Sequence, residues 1–189
     1  MNDRGERLDL YRKILLQWNE KVNLIGPEAQ HNLDAHIREA VAAARLLKPA
    51  GEVLDFGSGG GLPAIPMAIM SPEARFHLVE VDKRKWAFLK HVVRECGLNC
   101  QVYGDTLAHA LKRLPADLRF SLVVSRAVGF PETWLPLLPD HLVDGARVAL
   151  FQGTPDPPSL AGFEKQSAAA LPRGNNNYLV TLMFHVKHP

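Results

Sequence analysis

The chain of 189 residues has an ordinary apolar fraction of 47% and a formal net charge of only +2 at pH 7. This length suits one domain with a real hydrophobic core, and the small positive charge permits an anionic partner without requiring one. Two cysteines without clustered histidines exclude a disulfide framework and a zinc site.

The first part of the chain is predicted to be a helical cap. Apolar residues recur at helical spacing between Arg4 and Val22, and a second helix fits Asn32–Leu47. The charged start leaves no apolar segment for a secretory signal, and the longest apolar run, Leu62–Met70, is too short to cross a bilayer. We therefore expect a cytoplasmic protein with a cap at residues 1–48 and a main domain at residues 49–189.

From residue 53 onward, short apolar strands alternate with amphipathic helices. The predicted elements are, in order, strand Val53–Leu54, helix Leu62–Met70, strand Arg75–Val81, helix Lys83–Cys96, strand Gln101–Tyr103, helix Thr106–Leu114, strand Phe120–Ser125, a helical or turn-like segment Pro131–Leu138, strand Gly145–Phe151 and strand Tyr178–Val186. A Pro-rich loop at 154–159 and a turn at 174–177 precede the last strand. This alternation predicts an α/β fold whose parallel strands are joined by crossover helices on both faces.

A glycine-rich loop follows the first predicted strand. The stretch VLDFGSGGGLPAIPMA, residues 53–68, has four glycines in five positions. Ligands of open α/β sheets bind at the carboxyl ends of the strands, and a purely structural turn would need only one glycine. The loop lacks the Lys-Ser or Lys-Thr pair of a phosphate-binding P-loop, and Phe56 excludes a nucleophile elbow around Ser58.

The closer alternative is a dinucleotide site. Gly57 and Gly59 match the fingerprint G-x-G-x-x-G, but Leu62 stands at its third position. Asp55 at the strand tip would repel a pyrophosphate and would suit a cationic ligand. S-adenosylmethionine is such a ligand, because it carries a sulfonium and no phosphate. Glu80, at the end of the second predicted strand, can accept both ribose hydroxyls of an adenosine, as in NAD binders, or can be a surface acid.

Residues 53–69 closely resemble the D-x-G-[ST]-G-x-G-L-P-G-I-P loop of the bacterial glucose-inhibited division protein B family. Further matches in order and spacing are WNEKVNL at 18–24, HIREA at 36–40, DKRKWAFLKHV at 82–92 and VVSRAV at 123–128. That family consists of small-subunit ribosomal RNA methyltransferases that methylate N7 of a guanine in 16S rRNA. The resemblance implies a Rossmann-like class I methyltransferase with a mostly parallel seven-stranded sheet.

The same resemblance implies S-adenosylmethionine as the cofactor and 16S rRNA or the small ribosomal subunit as the partner. It implies no metal and no membrane, and we expect a monomer. It places Gly57, Leu62, Thr106 with Leu107, and Arg126 at the cofactor. The predicted cofactor-binding set is therefore Asp55, Gly57, Gly59, Gly61, Leu62, Glu80, Thr106, Leu107 and Arg126.

The chain departs from the family pattern at four positions. Ala35 and Gln152 replace an arginine and a lysine, Ala64 replaces a loop glycine, and Leu107 stands where an acid is common. We expect these changes to affect RNA contacts more than the cofactor site.

The chemistry that the resemblance implies needs no general base. N7 of guanine attacks with a lone pair that is already free, so catalysis consists of orientation and desolvation. Residues 125–128, Ser-Arg-Ala-Val, also lack the Asp/Asn-Pro-Pro-aromatic loop of methylases that act on exocyclic amines. We predict no catalytic acid or base. Arg126 can bind the guanine carbonyl or a phosphate, order the cofactor loop, or form a structural salt bridge.

Candidate RNA contacts lie on the predicted basic helix and on the cap. Helical spacing brings Lys83, Lys90 and Arg94 near one face, although a charge run is also typical of a solvated helix. Asn23 and His36 are candidate rim residues, and His36 can equally be a structural hydrogen-bonding residue.

Two other functions stay open from the residues alone. One is a cofactor- or RNA-binding module without methylase activity, and the other is a methyltransferase of small molecules or proteins. Glu80, Arg126 and the intact glycine loop favour an enzyme over a binding module. The absence of a long insertion that could enclose a small substrate favours RNA.

Overall fold

The alternating strands and helices form a seven-stranded sheet in the computed structural model, which describes residues 4–157, 159–172 and 177–186. The elements are α1 (Arg4–Asn19), α2 (Pro27–His31), α3 (Leu33–Leu47), β1 (Glu52–Phe56), α4 (Ala64–Met70), β2 (Arg75–Val79), α5 (Lys83–Glu95), β3 (Cys100–Tyr103), α6 (Leu107–Lys112), β4 (Phe120–Arg126), α7 (Pro131–Trp134), 3₁₀ turns at Leu135–Leu137 and Pro139–His141, β5 (Leu142–Gln152), β6 (Phe163–Ala170) and β7 (Tyr178–Phe184).

The strand order identifies the edge of the sheet at which a ligand is expected. The order is β3-β2-β1-β4-β5-β7-β6. The first five strands of this order, β3, β2, β1, β4 and β5, are parallel to one another, and β7 is antiparallel to both β5 and β6. The chain leaves β1 toward β3 and then returns to β4 on the other side of β1. Strands β1 and β4 therefore form the topological switch point, where open α/β sheets bind their ligands.

The mostly parallel sheet of seven strands is confirmed, but β6 and α2 were missing from the predicted elements. Strand β6 reads FEKQSAAA and is exposed along most of its length, because it lies at the edge of the sheet. It therefore shows no alternation of apolar and polar residues. Helix α2 has only five residues and none is buried, so it leaves no hydrophobic period in the sequence.

Several predicted boundaries also differ. Helix α1 ends at Asn19 rather than Val22, because the Asn19 side chain accepts the backbone N–H groups of Leu24 and Ile25 at 2.8 and 3.0 Å and holds a turn there. Strand β5 begins at Leu142, ahead of Gly145. Of the predicted turn at 174–177, only Asn177 lies within the described residues.

The sheet is covered on both faces, as expected. On one face, α1, α3, α4 and α5 share a core in which Tyr11, Ile65 and Phe88 are fully buried. On the other face, α6 and α7 cover residues such as Val123 and Val148. The cap thus shares its apolar core with the main domain, and a division near residue 48 stays an expectation.

The helices of the described ranges do not reach the length and apolar character that a membrane span requires.

Candidate active site

The glycine loop connects the end of β1 to α4 and bends through left-handed backbone conformations. Gly57 has φ +76°, and a side chain there would overlap the Val128 side chain from the loop after β4. Gly59 has φ +51°, and a Cβ there would meet nothing closer than the Gly57 carbonyl at 3.8 Å. Gly57 therefore allows two loops to pack together, whereas the space beside Gly59 is open.

Glu80, just after β2, ties the glycine loop to the start of α5. The residue is 8% exposed, with Oε2 accepting the N–H of Gly59 at 2.8 Å and Oε1 accepting the N–H of Asp82 at 2.9 Å. A carboxylate oxygen has two lone-pair positions, so each oxygen can accept a further hydrogen bond. Glu80 can therefore hold the loop and still accept hydroxyl groups from a ligand.

The place of Asp55 at the tip of the first strand predicts a carboxylate that faces the ligand, but the structure places this carboxyl elsewhere. Its carboxyl is 1% exposed and lies beneath the loop, where burial, and to a smaller extent the charge of Glu80, raises its pKa from 3.8 to about 7. A hydrogen bond from Ser58 opposes this shift. Asp55 does not line the cavity at the switch point, so the acid that reaches this cavity is Glu80.

A cavity of about 290 Å³ lies at the carboxyl ends of β1, β2 and β4, and we call it the switch-point cavity. Its wall is built by the glycine loop, the residues after β2 and β4, and the cap. The lining residues are Gly57, Ser58, Gly59, Gly60 and Leu62 from the loop, Glu80 and Lys85 after β2, Arg126, Ala127 and Val128 at β4, and Leu24, Ile25, Ala29 and His36 from the cap.

A second cavity of about 310 Å³ adjoins the first, and we call it the β5 cavity. Its walls come from the cap, from the ends of β4 and β5 and from the start of β7, and they include Glu28, Glu39, Phe151, Gln152, Gly153 and Tyr178. Among the residues that the structure describes, four line both cavities, namely Ala29, His36, Arg126 and Ala127. The two spaces therefore meet at the end of β4.

A buried polar cluster stands at this junction. Arg126 Nη2 lies 3.2 Å from Glu39 Oε2 and also contacts His36 Nδ1, while His36 Nδ1 is 3.4 Å from the same Glu39 oxygen. His36 and Glu39 are 3% and 1% exposed. If the guanidinium moved away, the buried carboxylate of Glu39 would be left without its partner, which costs free energy. The cluster therefore holds the guanidinium in place. Arg126 thus forms a salt bridge and also lines both cavities.

The structure brings together six of the predicted residues: Gly57, Gly59, Leu62, Glu80, Arg126 and His36 line the switch-point cavity. His36 is buried there rather than on an outer rim. Four others do not line it. Asp55 is buried beneath the loop, Gly61 is buried against Ile65, Leu107 is buried in the core, and Thr106 is the N-cap of α6 and accepts the His109 N–H at 3.3 Å. Cofactor contacts for these four stay predictions.

The remaining candidate RNA residues are at the surface. Asn23, Lys83, Lys90 and Arg94 are exposed. Lys90 Nζ lies 4.6 Å from the centroid of the Trp86 ring, and Arg94 Nη2 is 2.9 Å from Glu95 Oε1.

Sequence reasoning missed Ile25, Lys85, Val128 and Glu39. Ile25 and Val128 lie in turns whose approach to the glycine loop depends on tertiary packing. Glu39 had a local signal, because it stands three residues after His36 and therefore shares its helix face. Within the described ranges, no group of three or more His, Cys, Asp or Glu residues is placed to hold a metal ion.

The fold is the α/β methyltransferase fold, with a mostly parallel sheet of seven strands. A putative O-methyltransferase from Klebsiella pneumoniae has a TM-score of 0.67 at 13% identity, covering 93% of this chain and 90% of that one. A mutant of MtNAS in complex with S-adenosylmethionine also has a TM-score of 0.67, at 16% identity, covering 97% of this chain and 76% of that one.

The sequence comparisons are more specific. Residues 4–166 match the GidB family, rRNA small subunit methyltransferase G, and the chain belongs to this family. Curated relatives named ribosomal RNA small subunit methyltransferase G include one from Ruegeria pomeroyi, 33% identical over 92% of this chain and 81% of the relative. Another, from Ruegeria sp. strain TM1040, is 40% identical over 78% of this chain and 72% of the relative.

Proposed function

We propose that this protein transfers a methyl group from S-adenosylmethionine to N7 of a guanine in 16S rRNA. The observation that carries the proposal is the switch-point cavity, in which glycine backbone, Glu80 and Arg126 surround one space of about 290 Å³. Relatives that share the family are named ribosomal RNA small subunit methyltransferase G.

The residues of this cavity fit the cofactor. The open space beside Gly59 lets a ligand approach the loop closely, and Glu80 can accept the ribose hydroxyls. Arg126 and Lys85 place positive charge in the same wall, which suits the carboxylate of the amino acid tail. The cofactor, when bound, supplies the methyl group on a cationic sulfur.

The chain contributes orientation and exclusion of water. Leu24 and Ile25 from the cap and Val128 from the loop after β4 provide apolar walls around the polar groups. A guanine N7 needs no deprotonation, so the proposed reaction requires a fixed arrangement of two ligands and no residue that removes a proton. Arg126, held by Glu39, stands where the two cavities meet and can orient either ligand.

The proposed substrate also indicates in which compartment the protein acts and which surface residues contact RNA. We place the protein in the cytoplasm, where ribosomal RNA is found, and we expect it to act as a monomer. Asn23 and the exposed cations of α5 are the proposed RNA contacts outside the cavities. A methyltransferase of small molecules is disfavoured because the cap is short and the sequence carries no long insertion that could enclose such a substrate.

The proposal is tested in two steps. Calorimetry first measures binding of S-adenosylmethionine to the protein. Radiolabelled cofactor is then incubated with the protein and with small ribosomal subunits from a strain that lacks the corresponding gene, and the label is mapped. We expect binding, followed by transfer to one guanine of 16S rRNA. No cofactor binding would favour an inactive binding module, and binding without label in 16S rRNA would indicate another substrate.

A further inference from the structure

We propose that the β5 cavity receives the target guanine after it has turned out of its RNA strand, and that Arg126 donates a hydrogen bond to its O6 atom. This inference rests on the proposed function and assigns the second cavity to the base. An enzyme that modifies a base needs such a pocket, because the target atom must leave the stack to reach the cofactor.

The size and position of the β5 cavity suit one base. Its volume of about 310 Å³ accommodates a purine with room for its sugar, and it adjoins the switch-point cavity along the residues that line both. A purine in the β5 cavity therefore has one edge directed toward the cofactor. Ala127 and Arg126 both line the junction, so a base and a cofactor that occupy the two cavities would share these residues.

Two aromatic residues line this cavity and do not line its neighbour. Phe151 lies at the end of β5, and Tyr178 lies at the start of β7, where it pairs with Gln152. Because β7 is antiparallel to β5, its first residue reaches the same edge of the sheet as the last residues of β4 and β5. Aromatic side chains provide stacking and contact surface for an unstacked base.

Arg126 lies where it can contact the edge of guanine that carries N7 and O6. N7 and O6 of guanine are neighbouring acceptors on one edge, so a base with N7 toward the cofactor has O6 beside the shared residues. The guanidinium is fixed by Glu39 at 3.2 Å, and its Cζ lies 5.8 Å from the centroid of the Phe151 ring. Adenine carries an amino donor in place of O6, and that group would face the donors of Arg126. The cavity is therefore selective for guanine.

The first test replaces Tyr178, which lines only the β5 cavity. Tyr178→Ala removes the ring, and Tyr178→Phe keeps the ring and removes the hydroxyl. Single-turnover transfer to small ribosomal subunits and the Kd for S-adenosylmethionine are measured for wild type and both variants. We expect Tyr178→Ala to slow transfer at least about fivefold with an unchanged Kd, and Tyr178→Phe, which keeps the ring, to lose less of the rate than Tyr178→Ala.

The outcomes separate this inference from the proposed function. If wild type binds the cofactor and transfers no methyl to 16S rRNA, the proposed function fails. If wild type transfers and Tyr178→Ala matches it, the base does not enter the β5 cavity. A loss of cofactor affinity in Tyr178→Ala, with the fold intact by circular dichroism, would assign the cavity to the cofactor and would also overturn the inference.

The second test reads base selectivity with the wild-type protein. Small subunits are reconstituted with 16S rRNA that carries guanine, inosine or 2-aminopurine at the methylated position. Inosine keeps O6 and lacks the 2-amino group, whereas 2-aminopurine keeps N7 and lacks O6. We expect inosine to be methylated at a rate near that of guanine and 2-aminopurine to be slower by about fivefold or more. Equal rates for 2-aminopurine and guanine would refute a contact between Arg126 and O6.

Discussion

At the scale of single residues, the glycines of the loop serve different purposes. Gly57 lets the loop after β4 approach, because any side chain there would overlap Val128, whereas Gly59 borders the open space of the switch-point cavity. A glycine-rich motif is therefore only partly a ligand-binding feature, and part of it is a packing requirement between two loops.

Gly57→Ala is expected to lower the free energy of unfolding and to weaken cofactor binding. The change combines a left-handed backbone with an overlap at Val128. Gly97→Ala is the matched control, since Gly97 has φ +58° and no atom within 4 Å of its added Cβ. The control should lose about 1–2 kcal/mol from backbone strain alone, and Gly57→Ala should lose more in urea unfolding. Equal losses in the two variants would mean that the Val128 contact relaxes freely.

Asp55 predicts a pH dependence of stability. Burial raises its pKa from 3.8 to about 7, so between about pH 4 and pH 7 the native state holds a proton that the unfolded chain releases. The stability that this group contributes is full below pH 4 and is lost as the pH rises through 7. Asp55→Asn cannot ionise and removes this dependence.

The measurement is urea unfolding of wild type and Asp55→Asn across pH 4 to 8, under identical salt. The free energy of unfolding of wild type minus that of the variant should fall as the pH rises toward 7 and should level off above it. A difference that is independent of pH would show that Asp55 ionises in the native state as it does in the unfolded chain.

At the scale of elements, α1 packs against the glycine loop and supports it. The buried Tyr11 hydroxyl donates to the Gly60 carbonyl at 2.8 Å, and an added Cβ at Gly60 would lie 3.0 Å from Ile25 and 3.3 Å from Leu15. The cap thus packs against the loop and also forms part of the wall of the switch-point cavity. This contact explains why the cap and the main domain share one core.

Tyr11→Phe should destabilise the protein by about 1–3 kcal/mol, because the Gly60 carbonyl loses a donor in a buried position. We also expect weaker binding of S-adenosylmethionine, since the loop loses its support. Thermal unfolding and calorimetry measure the two effects. Tyr103→Phe is the control, because its hydroxyl bonds to His77 away from the loop, so that variant should keep cofactor affinity. Wild-type affinity in Tyr11→Phe would show that α1 does not set the loop geometry.

At the scale of the whole molecule, the net charge is only +2, so any attraction to RNA has to come from local groups of cations. Helix α5 exposes Lys83, Lys90 and Arg94 on the side of the sheet that carries β3, whereas β6 forms the opposite edge. A local basic face can bind the RNA backbone even where the overall charge is small.

The double variant Lys90→Glu/Arg94→Glu should weaken binding of the small subunit and leave cofactor affinity unchanged. In a plot of log affinity for the small subunit against log salt concentration, the slope should become less steep by about one to two units. Arg45→Glu/Lys165→Glu changes the net charge equally at exposed positions elsewhere and should have a smaller effect. Equal effects of the two double variants would indicate that net charge alone governs RNA binding.

Much of this architecture could be predicted from the sequence, because its signals are local. The alternation of apolar strands and amphipathic helices predicts the parallel part of the sheet, and the spacing of Gly57, Leu62, Glu80 and Arg126 places these residues at one edge of it. The family resemblance is equally local, since it rests on short motifs such as the glycine loop and S-R-A.

Other features depended on tertiary structure, because they join distant segments. Asp55 looks like a ligand-facing acid at a strand tip, and only packing decides that its carboxyl is buried beneath the loop. The salt bridge between Glu39 and Arg126 spans 87 residues, and no local period connects its partners. Strand β6 carries no alternation, so its place is set by pairing with β7. By itself the sequence determined the order of elements and the motif positions, and three-dimensional packing decided which side chains face the two cavities.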